Sequence, residues 1–267
     1  MNGLWLVLGV LAGTVLNVLA DDLPPTTLGE RHGPRWPQCR ACGQPFGWLN
    51  VVALMGVFVG RGQCTHCGAS RPLRHLAVEL VTALSWVGVW AWAAGDWARF
   101  LPAALMVAVF ILITIIDLEH RLILWVVIVP AAAGALLIGL LDPARGWQKT
   151  LLGAGAGYGL MTLVFLLAQG YMWLAGQMRG EPLTEVAFGG GDVNLAGLIG
   201  LVVGWSGVVV ALLIAVASGG LFSLAYLIVQ SARRRYNPHT PIPYGPFLIL
   251  GAVVVYFFGA NIKAWGS

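Results

Sequence analysis

The sequence predicts an all-α polytopic membrane protein of about eight transmembrane helices, with one small polar insert. Three observations carry that reading. Only 10% of the 267 residues are charged, against about 25% in soluble domains. Hydrophobic residues make up 58%, and the mean hydropathy is +0.82. The apolar residues also fall in runs of the ~17–25 residues needed to cross a bilayer. An ordinary soluble domain, a disordered chain and a coiled coil are thereby excluded. The 36 glycines follow no collagen period and suit helices that pack backbone to backbone.

The first run covers Leu4–Ala20. Val18-Leu19-Ala20 ends it as a secretory leader could end, but no Lys or Arg precedes the run, so a retained helix is expected. Further spans are expected at Leu76–Ala94, Phe100–Ile116, Leu122–Leu141 and Thr150–Leu174. Val193–Val229 is too long for one span and is interrupted at Gly204-Trp205-Ser206-Gly207. It is expected to form a short helix and a longer one. A final run covers Phe247–Ala260.

Basic residues set the orientation. With the N-terminus outside, the cytoplasmic side receives Arg31, Arg35, Arg40, Arg61, Arg71, Arg74, Arg121, Arg179, Arg233, Arg234 and Arg235. The other side receives only Arg99, Arg145, Lys149 and Lys263. An unsplit Val193–Val229 would move the Arg triplet to the minority side, which supports the split. Trp5, Trp97, Trp125, Trp147, Trp205 and Trp265 lie near span ends, where interfacial aromatics collect.

The insert, about Asp21–His75, holds all four cysteines, as Cys39-Arg-Ala-Cys42 and Cys64-Thr-His-Cys67. Each pair is followed by Gly (Gly43 and Gly68), and 21 residues separate the pairs. Four thiolates in two such knuckles can wrap a tetrahedral Zn²⁺, giving a zinc-ribbon-like cytoplasmic insert. So small a segment gains much of its stability from a metal. Two disulfides or four separate thiols are the alternatives, and a cytoplasmic placement disfavours disulfides. Four cysteine ligands leave no open position for catalysis. His66 is expected to face solvent.

The acids are few enough to weigh singly. Asp96, Asp142, Glu181 and Glu185 read as solvated loop residues, and Glu79 as an i, i+4 partner of His75. Asp117 ends the third span and Asp192 begins the sixth, so the topology puts both at one depth on the cytoplasmic face. Two facing carboxylates share a proton. The ionised one can draw a proton from water while the protonated one polarises a peptide carbonyl. The Gly189-Gly190-Gly191 run permits close approach of an extended backbone, beside a helix N-terminus with unpaired N–H groups. Two simpler roles stand beside this: Asp192 as a helix cap and Asp117 as a partner of Arg121.

Six segments in order resemble bacterial type IV prepilin peptidases, membrane aspartyl proteases of the GxGD class. They are Gly13-Thr-Val-Leu-Asn17-Val18, the tetracysteine spacing, Arg74-His-Leu-Ala-Val-Glu79-Leu, Asp117-Leu-Glu119-His-Arg-Leu-Ile, Gly189-Gly-Gly191-Asp192-Val-Asn-Leu and Pro241-Ile-Pro-Tyr-Gly245-Pro246-Phe. The resemblance implies that Asp117 and Asp192 are catalytic, supported by Glu119, Gly189 and Gly191, with Cys39, Cys42, Cys64 and Cys67 as metal ligands. It implies cleavage of the leader of type IV prepilins and pseudopilins after Gly, followed by N-methylation from S-adenosylmethionine. The methyltransferase activity goes with the large insert.

The implied layout is a first helix over 1–20, a methyltransferase-associated insert over 21–75 and a seven-helix protease domain over 76–267. The implied location is the bacterial inner membrane, with the active site facing the cytoplasm. The chain departs from the family pattern at Leu124-Trp125, Asn194 and Asp22, positions that bear on substrate preference and methylation. A transporter and an inactive assembly scaffold are the competing classes, but no acid lies mid-span and no matched pair of broken helices is visible. Gly153, Gly155, Gly157 and Gly159 read as packing surface, and Arg233–Arg235 as contacts to anionic lipid. The net charge of +4 needs no nucleic-acid partner.

Overall fold

The computed structural model describes residues 2–24, 36–39, 41–58, 62–142, 146–179, 189–233 and 242–264. Among them the chain is helical: α1 (Asn2–Asp22), α2 (Trp48–Val51), α3 (Ala53–Phe58), α4 (Leu73–Trp92), α5 (Trp97–His120), α6 (Trp125–Leu141), α7 (Gly146–Arg179), α8 (Gly190–Ala232) and α9 (Gly245–Ala264). Only two isolated β-bridges interrupt this pattern among the described residues, both in the cysteine module. Five helices (α1, α4, α5, α7 and α8) are long and apolar enough to cross a membrane, and α6 and α9 are shorter apolar helices.

The expected break in the long apolar stretch falls at Gly204. Its φ of 76° and ψ of 175° leave helical space and kink α8 into a short and a long segment. An L side chain rarely adopts that φ, so glycine is what allows the break. Counting the two segments of α8 separately gives the eight apolar helices expected from sequence.

The chain divides into two compact units, Met1–Ile116 and Asp117–Ser267. In the first, α1 lies against α4 through glycines. A Cβ on Gly9 would come within 2.5 Å of the Ala83 Cα, and one on Gly13 within 2.6 Å of the Glu79 Cα. At one end of this pair Trp5 is buried, with its ring 4.8 Å from Trp90, 5.0 Å from Trp97 and 4.2 Å from Phe100. Trp5 is thus a core aromatic rather than an interfacial one. Trp97, Trp125, Trp147 and Trp205 are more than half exposed, as interfacial residues would be. Trp265 lies outside the described residues.

Glu79 does not pair with His75. It is 1% exposed and accepts hydrogen bonds from Thr14 Oγ1 (3.0 Å), Ala53 N (2.7 Å) and Leu54 N (2.8 Å). One carboxylate therefore joins α1, α4 and the first turn of α3. His75 Nε2 lies 3.1 Å from Asp21 Oδ2 instead, and Arg74 pairs with Asp21. Replacing Glu79 by Ala strands buried N–H donors, at a cost of roughly 1–3 kcal/mol for each group left unsatisfied. Thermal unfolding in detergent should show a clear destabilisation for Glu79→Ala and a smaller one for Glu79→Gln, which keeps an acceptor oxygen. Equal stability of Glu79→Ala and the parent would contradict this role.

In the second unit α7 packs on α8 at backbone distance. A Cβ on Gly153 would come within 2.7 Å of the Gly204 Cα, and one on Gly157 would collide with the Ala196 carbonyl. Gly155 and Gly159 face open space. Of the four glycines expected to pack, the i, i+4 pair does so, because residues that far apart share a helix face. Glu181, Glu185, Arg234 and Arg235 lie outside the described residues.

Candidate active site and cysteine module

The second unit begins at Asp117, one turn before the end of α5. Arg121 ends that helix with φ at 55°, its N–H bonded to the Asp117 carbonyl (2.9 Å). Residues 121–124 then run non-helically to α6. The Asp117 side chain is 5% exposed, and its Oδ2 accepts the N–H of Gly245 (3.0 Å), the first residue of α9.

Asp192 lies in the first turn of α8 and is 8% exposed. Its Oδ2 accepts the N–H of Gly189 (3.0 Å), the side-chain half of a capping box. The capping role weighed from sequence is therefore real, but it occupies one oxygen. The same holds for Asp117. Each carboxylate has one oxygen tied to a glycine N–H, and no other hydrogen bond holds either among the described residues. The Asp117 charge acts on Asp192.

Two neighbours frame the pair. A Cβ on Gly191 would stand 2.8 Å from the Ile123 Cβ, so the glycine run packs on the segment that follows Asp117. Tyr244 packs on the core cluster of Met161, Val193 and Ala196, next to Asp192 in sequence. Burial, and then the Asp192 charge, pushes the Tyr244 phenol above its ordinary value, so it stays protonated at neutral pH. Glu119 differs from the aspartates: it is 30% exposed, with a carboxylate oxygen 3.8 Å from His120 Nε2.

Gly245 and Tyr244 lie in a segment that motif reading had quoted, but it had given neither a role beside the aspartates. A Cβ at Gly245 would fall 2.5 Å from Asp117 Oδ2, inside the hydrogen bond itself. Gly245→Ala must displace either the carboxylate or the α9 N-terminus. A shift of about 1 Å costs on the order of a hundredfold in rate. That loss should be seen in kcat with little change in KM, and parental kcat in Gly245→Ala would count against the contact.

The cysteine module lies in the first unit and is built from two copies of one turn. Cys39 N donates to Gln44 O and Gly43 N to Cys39 O; Cys64 N donates to Ala69 O and Gly68 N to Cys64 O. Gly43 and Gly68 have φ of 70° and 71°, closing each turn in the left-handed region. The four sulfurs lie within 4.8 Å of one another, with Cys39–Cys67 at 3.6 Å and Cys42–Cys64 at 3.7 Å. A disulfide needs about 2.05 Å. The edge of a tetrahedron with ~2.3 Å metal–sulfur bonds is about 3.8 Å, so the set fits a tetrathiolate metal site. Hydrogen bonds from the Cys67 and His66 backbones hold the Cys64 thiol down to about 6, while burial and the neighbouring thiols push Cys42 up to about 12, so the clustered thiols hold their protons unequally. His66 itself is exposed, as expected.

Membrane-length helices make this a multi-pass membrane protein, and its two buried carboxylates are consistent with an aspartic peptidase. Known proteins agree. Residues 7–93 match the model of the bacterial peptidase A24 N-terminal domain, and residues 103–224 match that of the type IV leader peptidase family. Together these cover most of the chain, which belongs to the type IV leader peptidase family. Among similar proteins is a prepilin leader peptidase/N-methyltransferase of Aeromonas salmonicida, 27% identical, with 92% of this chain and 80% of that protein covered. One from Legionella pneumophila is 29% identical over 86% of this chain and 73% of its own. One from Bacillus subtilis is 25% identical over 84% of this chain and 82% of its own. No solved structure matches.

Proposed function

We propose that this chain cleaves the leader of type IV prepilins and pseudopilins after Gly at the cytoplasmic face of the inner membrane, and then N-methylates the new N-terminus. The relatives' names support both activities, and the observation that carries the catalytic part is the aspartate pair. Each of Asp117 and Asp192 is buried and tethered at one oxygen by a glycine N–H. Each therefore has a fixed position with its other oxygen left for water or substrate.

In this reading the pair holds one proton. The ionised member takes a proton from water as the water attacks the carbonyl after Gly, and the protonated member donates to the carbonyl oxygen. The amine leaves with a proton returned from the pair. No acyl-enzyme forms. The glycine N–H groups keep each carboxylate oriented through both steps, and Gly189 to Gly191 offer backbone without side chains beside an extended substrate.

Cys39, Cys42, Cys64 and Cys67 would hold a structural Zn²⁺, which fits the sulfur separations above. S-adenosylmethionine would supply the methyl group. The working division is a first helix over 1–20, the insert over 21–75 and the protease domain over 76–267, with Glu119 kept as an outlying candidate near the site. Incubating a prepilin with the reconstituted chain tests the peptidase reading. Release of the leader is expected, and an intact prepilin in the presence of correctly folded protein would overturn it.

A further inference from the structure

The insert carries an apolar segment that neither the peptidase chemistry nor the cysteine turns use. Between Arg40 and Arg61 the sequence has no charged residue, and over residues 46–59 Asn50 is the only strongly polar side chain. An apolar run of that length is too short to span a bilayer. It forms either a core helix or a segment lying in the membrane interface.

Burial separates the two. A core helix hides its apolar side chains. In α3 only Ala53 and Gly56 are buried, while Met55 and Val57 are 50% exposed and Phe58 is 86% exposed. Three apolar side chains on six residues therefore face away from the protein.

The depth of α3 follows from what holds its first turn. The N–H groups of Ala53 and Leu54 end on Glu79. Glu79 lies four residues further into α4 than His75, which with Arg74 and Asp21 forms a charged cluster at the ends of α1 and α4. At 1.5 Å per residue, that is about 6 Å inside the cluster. The α1 side agrees. Thr14, bonded to the same carboxylate, precedes Asp21 by a rise of about 10 Å. Interfacial helices bury their apolar face to a depth of about 5–10 Å.

The backbone at the α2–α3 break is also built for a place without water. Arg71 donates to the Asn50 and Val51 carbonyls, and Gly56 N–H donates to the Val52 carbonyl (3.1 Å). With Glu79 on the two N–H groups, every backbone group from the Asn50 carbonyl to the Leu54 N–H that the break would bare has a partner, apart from the Val51 and Val52 amides. In water a break needs no such partners, whereas below the headgroups it does.

We propose that α3 lies in the membrane interface, with Met55, Val57 and Phe58 against lipid acyl chains. The surface continues the lipid-facing sides of α1 and α4, to which Glu79 fastens it. The insert is then seated on the bilayer by its own apolar helix, and only its cysteine turns stand in water.

A photoreactive side chain tests this. The full-length protein is made with p-benzoylphenylalanine in place of Met55 or of Phe58, reconstituted in liposomes of phosphatidylethanolamine and phosphatidylglycerol, and irradiated. The mass of the chain then reports what it captured. Leu80, exposed on the α4 span, serves as the lipid-facing reference, and Gln44, exposed in the first cysteine turn, as the water-facing one. Both test positions are exposed, so the label adds no strain to the core, and helical circular dichroism checks the fold. Lipid adducts at Met55 and Phe58 should approach the Leu80 yield and exceed that at Gln44 by roughly tenfold. Yields no higher than at Gln44 would place α3 in water and overturn the proposal. Capture of a second copy of the chain in place of lipid would make the face a dimer contact and overturn it equally.

Discussion

Asp117→Asn and Asp192→Asn should each lower kcat/KM for prepilin cleavage by about 10³-fold or more, the scale of positioned acid–base chemistry. Asn keeps the volume and one carbonyl-type oxygen, so the Gly245 and Gly189 N–H bonds can survive in the variants. What is lost is the ability to exchange a proton. The two effects should not add. Once one member is neutral for good, the pair can no longer share a proton, and the double variant should be hardly slower than either single one. Cleavage by purified protein in liposomes, followed as release of the leader, gives the rates. A single variant that keeps a tenth of parental activity would rule out a paired-carboxylate mechanism.

Metal removal should have the second large effect, confined at first to the insert. Among the described residues only two short helices and two isolated bridges organise the insert. Its two cysteine turns converge on one point, where their sulfurs come within 4.8 Å. Metal binding to such structural sites contributes on the order of 10–16 kcal/mol in zinc-finger peptides. Cys64→Ser, or prolonged chelation, should therefore open the insert to added protease and abolish methyl transfer. Leader cleavage should fall less, because the aspartates lie in the other unit. Elemental analysis should find about one zinc per chain in the parent and little in Cys64→Ser. Full protease resistance after complete metal loss would mean that the module folds without it.

Much of this was legible in the sequence, for reasons that differ from element to element. The spans follow from composition, because a bilayer imposes a minimum apolar length. The kink in α8 was legible because Gly204 is followed within three residues by Gly207, and a backbone there can leave helical space. The cysteine module was legible because the same five-residue turn occurs twice, and each ends in a glycine with positive φ.

What failed was what depends on a distant partner. His75 and Glu79 have ideal i, i+4 spacing, yet Asp21 claims one and the α3 N-terminus claims the other. Trp5 sits at a span end as an interfacial residue would, but its neighbours in space are Trp90, Trp97 and Phe100. The Gly245–Asp117 bond joins residues 128 positions apart. The Pro-Tyr-Gly-Pro segment was visible, but nothing local says that its glycine N–H ends on a carboxylate.

The most direct test of the aspartate pair is the N-terminal mass of a prepilin co-expressed with this chain. With the parent, the pilin should lack its leader up to the Gly and carry one added methyl group. With the Asp117→Asn, Asp192→Asn double variant, expressed to the same level in the membrane, it should keep the full leader and no methyl. A leaderless pilin in cells that contain only the double variant, and no other prepilin peptidase, would contradict the account.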